Sequence, residues 1–244
     1  MDISWLSRTS LLLGDEKLQE LTQKHVLIVG LGGIGSFAAE AIARAGIGNI
    51  TLVDGDFVEL SNKNRQLVAL DSTLGIQKAV VMEARIKDIN PEVKVNSITH
   101  FLMPEDMKTL LLSQKFDYVI ECIDSITPKV ELLKLCRKNK IKVVCSGGAG
   151  GKTDPTMVRI KDIKKVVNDR LIHYTRKRLR KVEVHKGIKV VFSEEQVDRS
   201  SLILTDGSNY KKSAYGTMSY LPAVFGLTAA SVVIRELCGI KVTK

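Results

Sequence analysis

The apolar and polar positions of this chain change period repeatedly, and the changes predict strands alternating with helices. Val26 to Val29 is a short apolar run and Ile50 to Val53 a second; between them Ser36 to Ala45 is alanine-rich with helical spacing. Gly75 to Ile89 reads as a helix with Val80, Val81, Ala84 and Ile86 on its apolar face, stopped by Asn90-Pro91. Val93 to Ile98 follows as a strand, Pro104 to Ser113 as a helix, and Tyr118 to Ile123 as a buried strand ending on Asp124-Ser125. Pro128 to Lys138 is then a helix and Ile141 to Cys145 a strand. This alternation predicts an α/β fold built on a doubly wound, mostly parallel, Rossmann-like sheet.

The two ends read differently. Met1 to Gln23 is a helical lead-in, with Leu11, Leu12, Leu18 and Leu21 spaced around Gly14 and Arg8 in the arm. From Thr153 the pattern loosens into a C-terminal elaboration. Val158 to Ile160 is a strand, and Asp162 to Lys181 is a basic amphipathic helix with Ile163, Val166, Val167, Leu171 and Leu179 inward. Gly187 to Phe192 is a strand, Asp198 to Tyr215 a polar loop, and Leu221 to Cys238 a last helix on the sheet. The apolar run Leu221 to Ile234 is shorter than the about 20 residues of a spanning helix, so it is expected in the core, with no membrane partner. One domain over 1–244 is expected, with a core at 1–152 and the elaboration at 153–244.

Composition narrows the class. A hydrophobic share of 44% and a charged share of 26% over 244 residues are those of a globular protein with a sizeable core. Cys122, Cys136, Cys145 and Cys238 form no CxxC pair, which argues for reduced thiols and a cytoplasmic setting, without zinc or disulfides. No secretory signal opens the chain. Charge is concentrated: between Lys161 and Val190 eleven Lys and Arg face three Asp and Glu, +8 of the net +10, which points to a polyanionic partner.

Candidate chemistry gathers between His25 and Asp56. The first apolar run passes into Gly30-Leu31-Gly32-Gly33-Ile34-Gly35, the helix follows, and the second run ends on Asp54. Glycines let backbone approach a phosphate chain, the helix start offers unpaired N–H groups, and an acid at the second strand tip can accept from ribose hydroxyls. A nicotinamide dehydrogenase would suit the turn alone. Three features favour a triphosphate attacked at its α-phosphorus: the extra glycine, the second acid Asp56, and the cations of Asn62-Lys63-Asn64-Arg65 followed by Lys78. Such cations neutralise the phosphates and the pyrophosphate leaving group, and Asp124 at the next strand tip could hold Mg²⁺.

The segments GLGGIGS, LVDGDFVELSNKNRQ, GIQKA and ECIDS resemble the ubiquitin-activating-enzyme-like adenylating superfamily of ThiF, MoeB and HesA proteins. Within it, INPEVKV, SGGAGGKTDPT and the basic segment are most similar to the branch that dehydrates threonylcarbamoyladenosine in tRNA. The resemblance spans nearly the whole chain to about residue 180 and is looser beyond. It implies ATP on Gly32, Gly33 and Gly35, Asp54 on the ribose, Asp56 also in the nucleotide site, Asn62, Arg65 and Lys78 on the phosphates, and magnesium on Asp124. It implies a homodimer in which Arg8 reaches the partner's ATP, so that Arg8, Arg65, Lys78 and Asp124 form the catalytic set. A monovalent cation, sodium or potassium, at carbonyls of Gly147 to Gly151 and a cysteine-desulfurase and sulfur-acceptor system as partner are further implications. Gln66 is read as structural. Lys161 to Lys189 would track tRNA, with Arg176, Lys177, Arg178, Arg180 and Lys181 on its phosphates.

Superfamily members that carry a ubiquitin-like protein as a thioester need a cysteine after the second glycine loop, and none lies between Ser146 and Leu237. The expected reaction is therefore adenylation of the threonylcarbamoyl carboxylate followed by cyclisation, with no protein nucleophile. Two alternatives stand beside it: an adenylating enzyme for the C-terminus of a small sulfur-carrier protein, and a non-catalytic nucleotide-responsive RNA-binding module.

Overall fold

The computed structural model describes residues 3–204 and 213–242 of the chain. After a 3-10 turn at Ser4–Leu6, α1 (Ser7–Leu13) and α2 (Asp15–Thr22) lead into β1 (His25–Val29), α3 (Gly35–Arg44) and β2 (Asn49–Val53). Then come α4 (Lys78–Ile89), β3 (Lys94–Ile98), α5 (Pro104–Ser113), β4 (Tyr118–Glu121), α6 (Ile126–Lys138) and β5 (Val143–Ser146). The C-terminal part adds β6 (Val158–Asp162), α7 (Arg170–Arg180), β7 (Lys189–Ser193), β8 (Leu202–Leu204), β9 (Ser213–Tyr215) and α8 (Tyr220–Leu237).

Seven strands form one sheet in the order β3-β2-β1-β4-β5-β7-β6. Pairs from β3 through β7 are parallel, and β6 runs antiparallel to β7 at the edge. The chain winds from β1 outward to β3, then returns to the other side of β1 with β4. That reversal places a crevice at the carboxyl ends of β1 and β4, where open α/β sheets take their ligands.

Pleating divides the core between the two faces. Val26 and Ile28 pack with residues of α3, α4 and α8, whereas Leu27 and Val29 pack with residues of α5, α6 and α7. Helix α8, 18 residues long, is apolar enough by length and composition to cross a membrane. Here Leu221, Phe225, Ala229, Val232 and Val233 bury it against α3 and the sheet. The approach is close: a Cβ on Gly226 would overlap the Ile34 carbonyl and lie 3.0 Å from Ala38 N.

Four expectations shift. The long basic helix breaks in two, into a 3-10 turn at Ile163–Lys165 and α7. Asp162 accepts from Lys164 N (3.0 Å) and Asp169 from Ile172 N (2.9 Å), so each acid caps its own start, and Asn168 between them takes φ 52°. Val167, expected inward, is exposed.

Helix α4 begins three residues later than expected, because Gly75 to Gln77 pairs with Phe57-Val58 instead. Its buried face is Ala79, Met82 and Ile86, with Val80 and Ala84 outward. The N-terminal arm breaks at Gly14 (φ 84°); Leu18 and Leu21 are buried but Leu11 and Leu12 are each 84% exposed. Of the expected loop Asp198 to Tyr215, β8 and β9 form a short antiparallel hairpin, and residues 205–212 lie outside the described residues.

Candidate nucleotide and acceptor site

The turn after β1 is shaped by its glycines unequally. Gly30 has φ 90°, and a Cβ there would sit 2.8 Å from Cys122 O. A Cβ on Gly35 would fall far inside van der Waals contact with Gly30 O, and one on Gly33 would crowd Pro222 and Arg65 O at 3.1 and 3.2 Å. Packing therefore demands these three. Gly32 is different: its Cβ would meet only Gln66 Nε2 at 3.9 Å. The fold leaves that spot open, as close approach of a phosphate requires. Helix α3 starts without a side-chain cap, so its positive end faces the same space.

Asp54 holds the turn. One carboxylate oxygen accepts from Leu31 N (2.5 Å) and the other from Asp56 N (2.8 Å). Burial pushes this carboxyl above the usual carboxylate range, against the opposing pull of Lys78 and the two N–H groups. Lys78, expected at a helix start, is the first residue of α4; it is only 5% exposed and its Nζ donates to Asp56 Oδ2 at 2.9 Å. Asp54, Asp56 and Lys78 thus converge on one edge of the crevice.

The loop carrying Asn62 and Arg65 lies against the turn. Ser36 Oγ donates to Gly32 O (2.7 Å) and accepts from Leu67 N (3.3 Å). Asn62 is buried, with Oδ1 accepting from Glu59 N, so in this structure it shapes the loop. Arg65 Nη1 donates to Ser61 O and Asn64 Oδ1, both at 2.8 Å, with its stem beside Gly33. Gln66, read from the sequence as structural, holds the one buried side-chain acceptor without a hydrogen bond among the described residues, Oε1. Gln66 Nε2 lies beside Gly32, and the orphaned Oε1 fits a donor on an incoming ligand or a water. Its only sequence signal was its place directly after Arg65.

Asp124 is exposed on the loop after β4, directly across the switch point from the glycine turn. The second glycine loop follows β5, the next strand over. Gly148 N donates to Asp169 Oδ2 (2.9 Å), and Gly151 is wedged against Val197 and Tyr215. Asp169 therefore joins this loop to the start of α7.

The basic residues of α7 divide into tethered and outward ones. Arg176 Nη1 donates to Ile163 O and Val166 O (3.1 and 2.9 Å), so a phosphate there competes with backbone carbonyls. Arg178 Nη1 donates to Thr127 Oγ1 (2.8 Å), three residues past Asp124. Lys177, Arg180 and Lys181 are exposed. Arg8 is exposed on α1, and neighbouring Leu6 packs on Gly46, just past the far end of α3. At 1.5 Å per residue, that is about 15 Å from this chain's own glycine turn.

No thiol here is activated. Burial raises the pKa of Cys122 and Cys145, pushes Cys136 up to about 12, and raises Cys238.

A phosphate-ready turn, a buried lysine and a strand-tip acid around one switch point define a nucleotide-binding α/β protein. The chain belongs to the ThiF family, whose model matches residues 6–244. It is 41% identical over 238 residues to a tRNA threonylcarbamoyladenosine dehydratase of Bacillus subtilis, covering 95% of this chain and 93% of that one. It is 38% identical to the Escherichia coli enzyme of the same name over 96% of this chain and 94% of the other. The solved structure of that enzyme in complex with ATP matches with a TM-score of 0.87 at 37% identity, over 98% of this chain and 96% of that one. Likeness to the E. coli sulfur carrier protein ThiS adenylyltransferase, 31% identical, reaches only 54% of this chain and 52% of the other.

Proposed function

We propose that this protein is an ATP-dependent dehydratase acting on threonylcarbamoyladenosine in tRNA. The observation that carries the reading is coverage. Similarity to the dehydratases runs through the basic C-terminal part, whereas similarity to the sulfur-carrier enzyme stops near half the chain. The nucleoside's carboxylate attacks the α-phosphorus of ATP and displaces pyrophosphate. Its carbamoyl group then closes on the acyl carbon, and the displaced carboxylate oxygen leaves within AMP. The product has lost the elements of water without a protein nucleophile, in keeping with four unactivated thiols. Ring closure is intramolecular, so positioning supplies much of its rate.

In this reading Gly32, Gly33, Gly35 and the α3 start take the phosphates, and Asp54 and Asp56 lie toward the ribose. Arg65 and Lys78 neutralise the departing charge. Asp124 would hold Mg²⁺, which would supply positive charge to neutralise the phosphates. A sodium or potassium ion at the Gly147 to Gly151 carbonyls, a sulfur-acceptor partner, a cytoplasmic setting and a single working domain over 1–244 belong to the same reading.

Full-length protein incubated with ATP, Mg²⁺ and tRNA bearing threonylcarbamoyladenosine should give AMP and a nucleoside lighter by one water on mass spectrometry. Release of ADP, or an unchanged nucleoside mass, overturns the reading.

The active species is a homodimer in which Arg8 serves the partner's site. Support comes from Leu6, two residues before Arg8, packing on Gly46 at the end of α3 away from the glycine turn, on an arm that exposes Leu11 and Leu12. Sedimentation should give twice the 26.9 kDa chain mass; a fully active monomer removes the trans role. Replacing Lys177, Arg180 and Lys181 together by alanine should weaken tRNA binding and make its log–log salt slope shallower by about 2 to 3. An unaltered slope returns these residues to ordinary solvated surface.

A further inference from the structure

Beneath the crevice lies an ion pair with no exposure at all. Glu121, the last residue of β4, and Lys129, in the first turn of α6, are each 0% exposed and joined by Lys129 Nζ donating to Glu121 Oε2. The other carboxylate oxygen, Oε1, accepts from Ile123 N at 2.8 Å. Lys129 Nζ also donates to Ser146 O at 2.9 Å and lies 3.6 Å from Cys145 Sγ. One end of the pair thus fixes the backbone just before Asp124. The other end fixes the carbonyl at the close of β5, where the loop Gly147 to Gly151 begins.

A buried ion pair is weak evidence for stability, since well-packed apolar side chains of similar volume often serve as well or better. The bonds here go to the two loops that frame the crevice. We infer that Glu121 and Lys129 are positioning residues that set the Asp124 loop and the second glycine loop at a fixed separation for adenylation. The inference rests on the proposed function and extends it to two residues that touch neither nucleotide nor RNA. Beyond the β4–β5 ladder, which ends at Glu121 and Cys145, the start of each loop is tied to the other through one ammonium and one carboxylate.

The discriminating variant removes both charges, Glu121→Leu with Lys129→Met. It is expected to fold, because the ion pair itself adds little net stability, with a midpoint lowered only as far as the lost bonds to Ile123 N and Ser146 O require. Its turnover in the AMP-release assay is expected to fall about 10²-fold, as a misplacement near 1 Å can cause, with KM for ATP changed less than about threefold. Lys129→Arg, which keeps the charge and its donors, should retain much of the parental kcat; Glu121→Gln has one acceptor oxygen where the carboxylate uses two, for Ile123 N and Lys129, and should lose kcat. Parental turnover in the folded double variant overturns the inference and leaves the pair as packing. If the double variant does not fold, Glu121→Gln decides on the protein that does fold: parental kcat overturns the inference, and a fall in kcat at unchanged KM for ATP that Lys129→Arg does not share supports it. Inactivity of the parent chain itself would instead refute the dehydratase reading.

Discussion

Gly35→Ala is expected to destroy ATP binding and to cost more stability than any other single methyl group in the crevice. The added Cβ would lie far inside contact with Gly30 O, 2.9 Å from Gly30 C and 3.3 Å from Cys122 Cβ. Two of those atoms are backbone at the end of β1, which is locked to β2 by Gly30 N donating to Val53 O (2.8 Å). No flexible side chain can yield, so the start of α3 must move away from β1. Overpacking in a tight core costs about 1–3 kcal/mol and more when backbone must shift. At this chain length about 3 kcal/mol corresponds to a midpoint lowered by about 6–12 °C. The displaced α3 start would lose its N–H groups from the phosphate position. Gly148→Ala is the control: nothing lies within 4 Å of its would-be Cβ, and its unfolding midpoint should match the parent's. Parental ATP affinity and midpoint in Gly35→Ala would mean that β1 and α3 are less closely apposed than described.

The same local rule explains which parts of the fold were legible in the sequence. β1, the glycine turn, α3 and β2 follow one another within about thirty residues, and period changes there from strand to helix with glycines at the junction. Each element's neighbour in space is its neighbour in sequence, so pattern suffices. The basic helix failed because amphipathic spacing continued through Asn168 while two aspartates, Asp162 and Asp169, offered separate caps. Side-chain capping is a competing local choice that hydrophobic spacing does not register.

Within the site, residue types were legible but their partners were not. Lys78 was recognisable as an odd cation at a helix start, yet its ion pair with Asp56 spans 22 positions and needs the fold. Arg176 looked like its basic neighbours, although its guanidinium is turned back onto the carbonyls of residues 163 and 166. Glu121 and Lys129 escaped notice altogether. The available signal was that Lys129 occupies the same face of α6 as buried Leu132, Leu133 and Cys136, spaced for an apolar stripe. A charge on such a stripe calls for a buried counter-charge, and the acid ending β4 is its nearest candidate.

Asp124→Ala is expected to lower adenylation by about 10²–10³-fold, the usual range for removing one preorganised electrostatic group, while tRNA binding stays within about twofold. The geometry gives the reason for the split. Asp124 is exposed at the end of β4, across the switch point from the open face of Gly32, whereas Lys177, Arg180 and Lys181 lie on α7. In the proposed reading the carboxylate stands beside the phosphates, so its removal takes away a negative charge there. If that carboxylate acted only by its charge, losing it would favour ATP; a large loss of rate therefore requires that it hold something positive. Asp124→Asn, which keeps the shape and one acceptor, should recover part of the rate as Mg²⁺ is raised, and Asp124→Ala should recover less. Turnover of the alanine variant at the parental level would remove Asp124 from the mechanism and leave phosphate neutralisation to Arg65 and Lys78.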